Sequence, residues 1–342
     1  KQQNSFVQLT QNQSQTFDNN DYKPKKVINS YVVYKELGHG TFGQVYLVEN
    51  VIQSQFAMKI SENRLKKYIL IEQQLLKHLE HLKICPRVIE GFDFENSYCL
   101  IMDLYEQSLS DINRLNLQPS VRKQLMFLAV KHVNSIHKLD IIHTDIKMEN
   151  FMLAQKNDCR SLKIIDFSSA IQLPCQNMPS KLQSRYFKSP EVLFRQSYNK
   201  KVDCWSLGCL LFEIAFQKPL FPAKTDEMLC LQHVCLLGIH ECPGEQFYQQ
   251  YSKSYFDQNI KLLSEFGFDS STQYKILPKI EVLQSTGRDE CRARKLSQLV
   301  SKLDWGVEKI GFLELLTGLL ATDQEKRWDC EKALKSQFFQ GM

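Results

Sequence analysis

Past a polar leader, the first hundred or so residues run in short stretches, and the rest of the chain does not. Tyr31–Leu37 and Val45–Val48 are β-like runs on either side of a glycine turn, and Phe56–Ile60 is a third. Arg64–Glu80 then changes period, with Leu65, Ile69, Leu75, Leu76 and Leu79 on one helical face. Val88–Phe94 and Tyr98–Leu104 read as a strand pair joined by Glu95-Asn-Ser97. Beyond Tyr105 the pattern is mostly helical. Gln118–Lys138 opens at Pro119-Ser120 with apolar residues at helical spacing. Cys204–Phe216, interrupted by Glu213, predicts a helix buried on all sides.

Two segments fall outside this pattern. Residues 1–28 are rich in Gln, Asn and Ser, and on composition alone such a segment is disordered. Either it drapes over its own domain or a protein partner orders it. Residues 241–300 read as a long irregular stretch with basic residues at Arg288, Arg292, Arg294 and Lys295. That patch is either a solvated insertion or a docking surface for acidic or phosphorylated partners.

Composition narrows the classes. The 342 residues, 43% hydrophobic, suit one two-lobed catalytic domain or two small domains. A net charge of +5 is too small to argue for nucleic acid. Eleven cysteines without a C-x-x-C pair read as reduced thiols, which places the chain inside the cell, in cytoplasm or nucleus. His78, His81 and Cys85 lack a nearby fourth ligand and read as surface and packing residues. The N-terminus is polar, so no secretory signal is expected, and no apolar run reaches the roughly 18 residues of a membrane span. A chain that begins at Lys1 is expected to be a processed form or part of something longer.

The chemistry concentrates at a few places. Gly38-His-Gly-Thr-Phe-Gly-Gln-Val45 sits between two strands; Gly38, Gly40 and Gly43 let backbone amides approach phosphates. A strand follows it rather than a helix, which argues against a dinucleotide-binding turn. Lys59 lies in the next strand and shares a face with Ala57. Glu72 is its candidate partner on the following helix, ahead of Glu62 and Glu80, which fit the helix register less well. Ile141-Ile-His-Thr-Asp-Ile-Lys-Met-Glu-Asn150 puts Asp145, Lys147 and Asn150 on one loop, and Asp166 ends the next β-like run. Phosphoryl transfer from ATP needs such a set. In such a set Asp145 would accept from, or at least orient, the attacking hydroxyl, Lys147 would offset charge on the moving phosphate, and Asn150 with Asp166 would hold magnesium.

In these motifs the chain resembles a protein kinase over about residues 31–340. The resemblance implies a bilobal α+β fold: a small β-rich lobe over about 31–105, a large helical lobe over about 106–340, and an insert over about 223–300. It implies Val45, Ala57 and Met152 around adenine, Met102 as gatekeeper, and Asp103 to Tyr105 as hinge. It also implies a structural pair between Glu191 and Arg327. Leu182-Gln-Ser-Arg-Tyr-Phe-Lys-Ser-Pro-Glu191 is similar to the dual-specificity tyrosine-regulated and homeodomain-interacting kinases, whereas His143-Thr-Asp145 resembles the LAMMER-type, Clk-like kinases. All belong to the CMGC group, whose insert Leu236-Leu-Gly238 resembles.

Four positions depart from the family pattern. Thr144 stands for the usual Arg, Met148 for Pro and Ser168 for Gly, and Lys181 occupies the place of an autophosphorylated Tyr. A Cβ at Ser168 either restricts the backbone beside Asp166, or its hydroxyl bonds locally and holds that Asp. The resemblance implies a magnesium–ATP kinase acting on Ser/Thr of protein substrates, with Tyr as a further acceptor. The competing reading is a pseudokinase serving as an interaction module, suggested by Ser168, Thr144 and the polar leader.

Overall fold

Alternation in the N-terminal runs becomes one antiparallel sheet. The computed structural model describes residues 26–113, 117–180, 182–226, 228–229, 232–233 and 288–342. Lys181, Leu236-Leu-Gly238 and residues 1–25 of the expected leader lie outside them. The chain divides into two compact units, one running through Ile136 and taking in Met148–Ile171, the other comprising His137–Lys147 and Gln172–Met342.

In the first unit the strands are β1 (Lys26–Ile28), β2 (Tyr31–Gly40), β3 (Gly43–Glu49), β4 (Gln55–Glu62), β5 (Val88–Phe94) and β6 (Ser97–Met102), paired in the order β1-β2-β3-β4-β6-β5. Residues 26–28 are therefore part of the sheet and not of the leader. Met58, Val33, Val48, Cys99 and Ile101 close one face over Ile28 and Tyr31, with Phe56 and Ile60 packed against them. Period-two geometry sends Ala57 and Lys59 to the other face. Helix α1 (Lys66–Leu79) buries Ile69, Glu72, Leu76 and Leu79 along one stripe, so Glu72 occupies a core position in the helical register.

The unit also holds β7 (Gln107–Ser108), α2 (Leu109–Asn113), most of α3 (Pro119–His137), β8 (Phe151–Leu153) and β9 (Leu162–Ile164). The compact boundary thus lies past the change of pattern at Tyr105. Hydrogen bonds give the reason: β9-β8-β7 form a small sheet. The Ile164 amide donates to the Ile84 carbonyl at 2.8 Å, and His132 on α3 meets the Leu162 carbonyl at 2.8 Å.

The second unit is built around α5 (Lys201–Phe216), preceded by α4 (Pro190–Leu193). Residues Val202–Phe212, Ile214 and Ala215 are all buried, as an apolar run without a polar stripe requires. Gly208 lets α5 approach the end of α7 (Glu308–Leu319), since a Cβ there would come within 2.8 Å of Leu320. Arg288–Val300 forms α6, which packs on α7. This corrects the expected irregular stretch over 241–300 at its C-terminal end. Leu296 and Val300, one helical turn apart, are buried beside half-buried Leu299, a spacing obscured by the neighbouring charges. Arg294 is exposed on the same helix. Helix α8 (Cys330–Leu334) starts at Asp329, whose side chain accepts from the Lys332 amide.

A buried ion pair ties this unit together. Arg327 Nη1 and Nη2 meet Glu191 Oε1 and Oε2 at 2.5 and 2.8 Å, and Arg327 Nε donates to the Ala321 carbonyl at 2.8 Å. Two parallel bonds fix the guanidinium plane, and its charge centre lies 5.2 Å from the Trp205 ring. Glu191→Ala would leave a buried cation unpaired. It is expected to lower unfolding free energy by about 3–5 kcal/mol, measured by urea denaturation of the full chain. A loss below about 1 kcal/mol would show that the pair does not hold the unit.

Candidate active site

The nucleotide-facing candidates sit in the first unit, and strand register gathers them. Val45 pairs with Lys59, and Lys59 with Leu100; Ala57 pairs with Met102. Side chains at paired positions share a face, so Val45, Ala57, Lys59 and Met102 lie together on the face opposite the apolar cluster. Gly40 and Gly43 close the β2–β3 turn. Gly43 has φ +149, and a Cβ there would run into the Ile60 carbonyl oxygen, so the fold itself requires glycine. A Cβ at Gly38 would meet nothing within 4 Å. The chain makes no demand for glycine there, whereas a closely approaching ligand would. Met152 lies mid-strand in β8, opposite Ser108 and Lys163. The Asp103 amide donates to the Arg87 carbonyl at 3.1 Å, and the Arg87 amide donates back to Asp103 Oδ2 at 3.0 Å. Burial pushes the half-buried Tyr105 phenol pKa up.

Lys59 is the centre of this set. Its Nζ lies 2.6 Å from Glu72 Oε2, 2.9 Å from Asp166 Oδ1 and 3.2 Å from Ser168 Oγ. Lys59 is 6% and Glu72 1% exposed, whereas the Asp166 side chain is 37% exposed. Burial alone pulls the Lys59 pKa down, but the charges of Glu72 and Asp166 and their hydrogen bonds raise it further, so the ammonium stays charged. The second Glu72 oxygen accepts from the Phe167 amide at 3.1 Å. The Ser168 hydroxyl donates to Asp166 Oδ1. Of the two outcomes open at Ser168, local bonding that holds Asp166 is the one observed. Asp166 itself is left-handed, φ +62. Asn150 is buried in the turn that enters β8, and its carbonyl accepts from the Ile165 amide at 2.9 Å. A carboxylate and an amide oxygen are the hard donors that a magnesium-like cation takes.

The hydroxyl-facing candidates sit in the second unit. Lys147 Nζ is 2.6 Å from Asp145 Oδ2, and the Ser184 hydroxyl donates to Asp145 Oδ1 at 2.7 Å. Ser184 also receives a bond from Lys147 Nζ at 3.3 Å. The loop itself hangs on Asp203. This buried carboxylate accepts from the His143 amide at 2.7 Å, the Thr144 amide at 2.9 Å and His137 Nε2 at 2.9 Å. Thr144 takes φ +69, an unfavourable region for a β-branched residue, at a cost on the order of 1–3 kcal/mol. The Asp203 bonds offset that strain. Sequence reasoning missed Ser184 and the clamping role of Asp203. A carboxylate at the head of a largely apolar helix was the available signal for Asp203; Ser184 carried none.

A model of the protein kinase domain matches residues 31–339. The chain is 25% identical over 366 residues to the dual specificity protein kinase YAK1 homolog of Arabidopsis thaliana, covering 94% of this chain and 37% of that protein. It is 28% identical over 325 residues to dual specificity tyrosine-phosphorylation-regulated kinase 3 of Homo sapiens, covering 89% and 53%. It is 28% identical over 341 residues to serine/threonine-protein kinase ppk5 of Schizosaccharomyces pombe, covering 95% and 38%. The chain thus spans between about a third and about half of the length of these relatives. Among the described residues no helix is long and apolar enough to cross a membrane.

Replacing Lys59 by Met would leave buried Glu72 without its cation. Urea denaturation is expected to show a loss of about 3–5 kcal/mol for Lys59→Met, largely restored in Lys59→Met/Glu72→Leu. Additive losses in the double variant would show that the two side chains do not depend on each other.

Proposed function

The chain belongs to the protein kinase domain family, and we propose that it transfers the γ-phosphate of ATP to Ser/Thr hydroxyls of protein substrates, with Tyr as a further acceptor. Membership implies ATP and a divalent cation in general terms; magnesium is our choice, from the oxygen donors of Asn150 and Asp166. The observation that carries the reading is the three-way contact of Lys59 with Glu72, Asp166 and Ser168. Structural ion pairs do not need a carboxylate left 37% exposed at one end.

Glu72 fixes the Lys59 ammonium for the α- and β-phosphates, and the turn from Gly38 to Gly43 brings backbone amides to them. Val45, Ala57, Met102 and Met152 supply the apolar contacts for adenine, and Asp103 to Tyr105 the hinge. A bound magnesium supplies charge neutralisation on the phosphate oxygens. Asp145 accepts from the attacking hydroxyl and orients it, and Ser184 keeps one of its oxygens in place. Lys147 counters charge on the transferring group. Thr144 gives no guanidinium to a phosphorylated activation segment, so this form of control is absent. Ser168, which motivated the pseudokinase reading, bonds Asp166 and thereby supports the catalytic arrangement. The names of the relatives, dual specificity and serine/threonine kinases, point the same way. An intracellular site of action, where ATP is supplied, accompanies this reading. A protein partner for the polar leader remains part of the proposal, and no nucleic acid is invoked.

The decisive measurement is radiolabelled phosphate transfer to a generic protein substrate with magnesium. Asp145→Asn and Asp166→Ala are each expected to lower the rate by about 10²-fold or more with folding retained. Wild-type rates in either variant would refute the assignment. Lys59→Met is expected to depress kcat/KM for ATP; unchanged kinetics would remove Lys59 from the phosphate site.

A further inference from the structure

Behind the loop that carries Asp145 lies a second cluster of polar groups that phosphoryl transfer does not use. Three segments far apart in sequence bring it together: His137 ends α3, Cys204 lies in the first turn of α5, and Cys330 opens α8. All three side chains are buried. Cys204 Sγ is 3.7 Å from Cys330 Sγ, and Cys330 Sγ is 3.7 Å from His137 Nδ1. The three donor atoms all lie within 4.8 Å of one another. The thiols are free, at a separation far longer than an S–S bond.

These spacings match those around a thiophilic ion. With zinc–sulfur bonds near 2.3 Å, two ligands at a tetrahedral angle stand about 3.7 Å apart. The tautomer of the histidine also fits. Asp203 can only accept, so Nε2 carries a proton at 2.9 Å and Nδ1 faces the thiols, with a lone pair for an ion that displaces any proton there. A carboxylate behind a ligating imidazole is the usual support for such a ligand. We propose that His137, Cys204 and Cys330 bind one zinc ion, with a water in the fourth position. Charge selects zinc over copper(I). Two thiolates and a neutral imidazole balance a divalent ion, whereas a monovalent one leaves a net negative charge buried beside Asp203. Binding displaces two protons from the cluster of His137, Cys204 and Cys330.

The ion would fasten residues 126 and 193 positions apart in sequence. It would also stiffen His137, and through it Asp203, whose carboxylate holds the His143 and Thr144 amides. The site is therefore a structural tie behind the loop, and its existence does not depend on kinase activity.

The test uses the full chain, stripped of metal under a phosphine reductant and titrated first with cobalt(II) as a spectroscopic probe. One cobalt per chain is expected, with a thiolate-to-cobalt charge-transfer band that zinc displaces. Zinc is also expected to raise the thermal midpoint. Cys204→Ala/Cys330→Ala is expected to lose the band and the zinc-induced rise. His137→Gln keeps both thiols, and is expected to weaken zinc binding more than about 10-fold. If the double variant does not fold by circular dichroism, His137→Gln and Cys330→Ser decide, since each removes a single ligand. An unchanged spectrum and stoichiometry in the variants would assign the ion to other cysteines and overturn the site. So would a wild-type chain that binds no cobalt or zinc, or one that takes copper(I) and refuses zinc.

Discussion

A buried ammonium held between two carboxylates is the constraint on which the first unit depends. Lys59 reaches Glu72 and Asp166, 13 and 107 residues away, at 2.6 and 2.9 Å. Desolvating a lone ammonium costs several kcal/mol, so β4 can keep Lys59 buried only if α1 and the segment after β9 deliver acids to it. That requirement fixes the rotation of α1, because Glu72 must share the stripe of Ile69, Leu76 and Leu79. It also fixes the chain past Ile164, because the Phe167 amide is bound to the same glutamate. One carboxylate thus sets both the helix and the loop.

Asp203 does comparable work in the second unit. It sits in the first turn of a largely apolar helix and accepts three hydrogen bonds, two of them from consecutive amides. Two neighbouring amides can point at one carboxylate only where the backbone reverses, and Thr144 takes the left-handed conformation to allow it. The loop carrying Asp145 is therefore held largely by its backbone, while the Asp145 carboxylate bonds Ser184 and Lys147. The rigidity of the loop thus comes from one buried acid.

How much of this was legible in the sequence follows from the range of each interaction. The strand of Phe56–Ile60, the hairpin at Glu95-Asn-Ser97 and the buried run to Phe216 were readable, because alternation and apolar continuity are local. Glu72 was readable because helical register left few rivals. Strand β1 was not, since three residues beside a polar leader make no pattern until they pair with Tyr31 to Val33. Helix α6 was hidden because Arg294 and Lys295 sit among the apolar positions it buries. The partnership of Ser184 with Asp145 spans 39 residues of irregular chain, and no periodicity carries information over such a stretch. The cysteine pair at 204 and 330 was invisible for the same reason, being 126 residues apart.

Ser168 shows how a departure from family pattern can be absorbed by local chemistry. A glycine at that place gives backbone freedom but no hydrogen bond. The serine donates to Asp166 while lying 3.2 Å from Lys59 as an acceptor. Asp166 needs such help more than Glu72 does: it is left-handed and partly open to water, whereas Glu72 is enclosed. The hydroxyl therefore substitutes for burial in holding the carboxylate still.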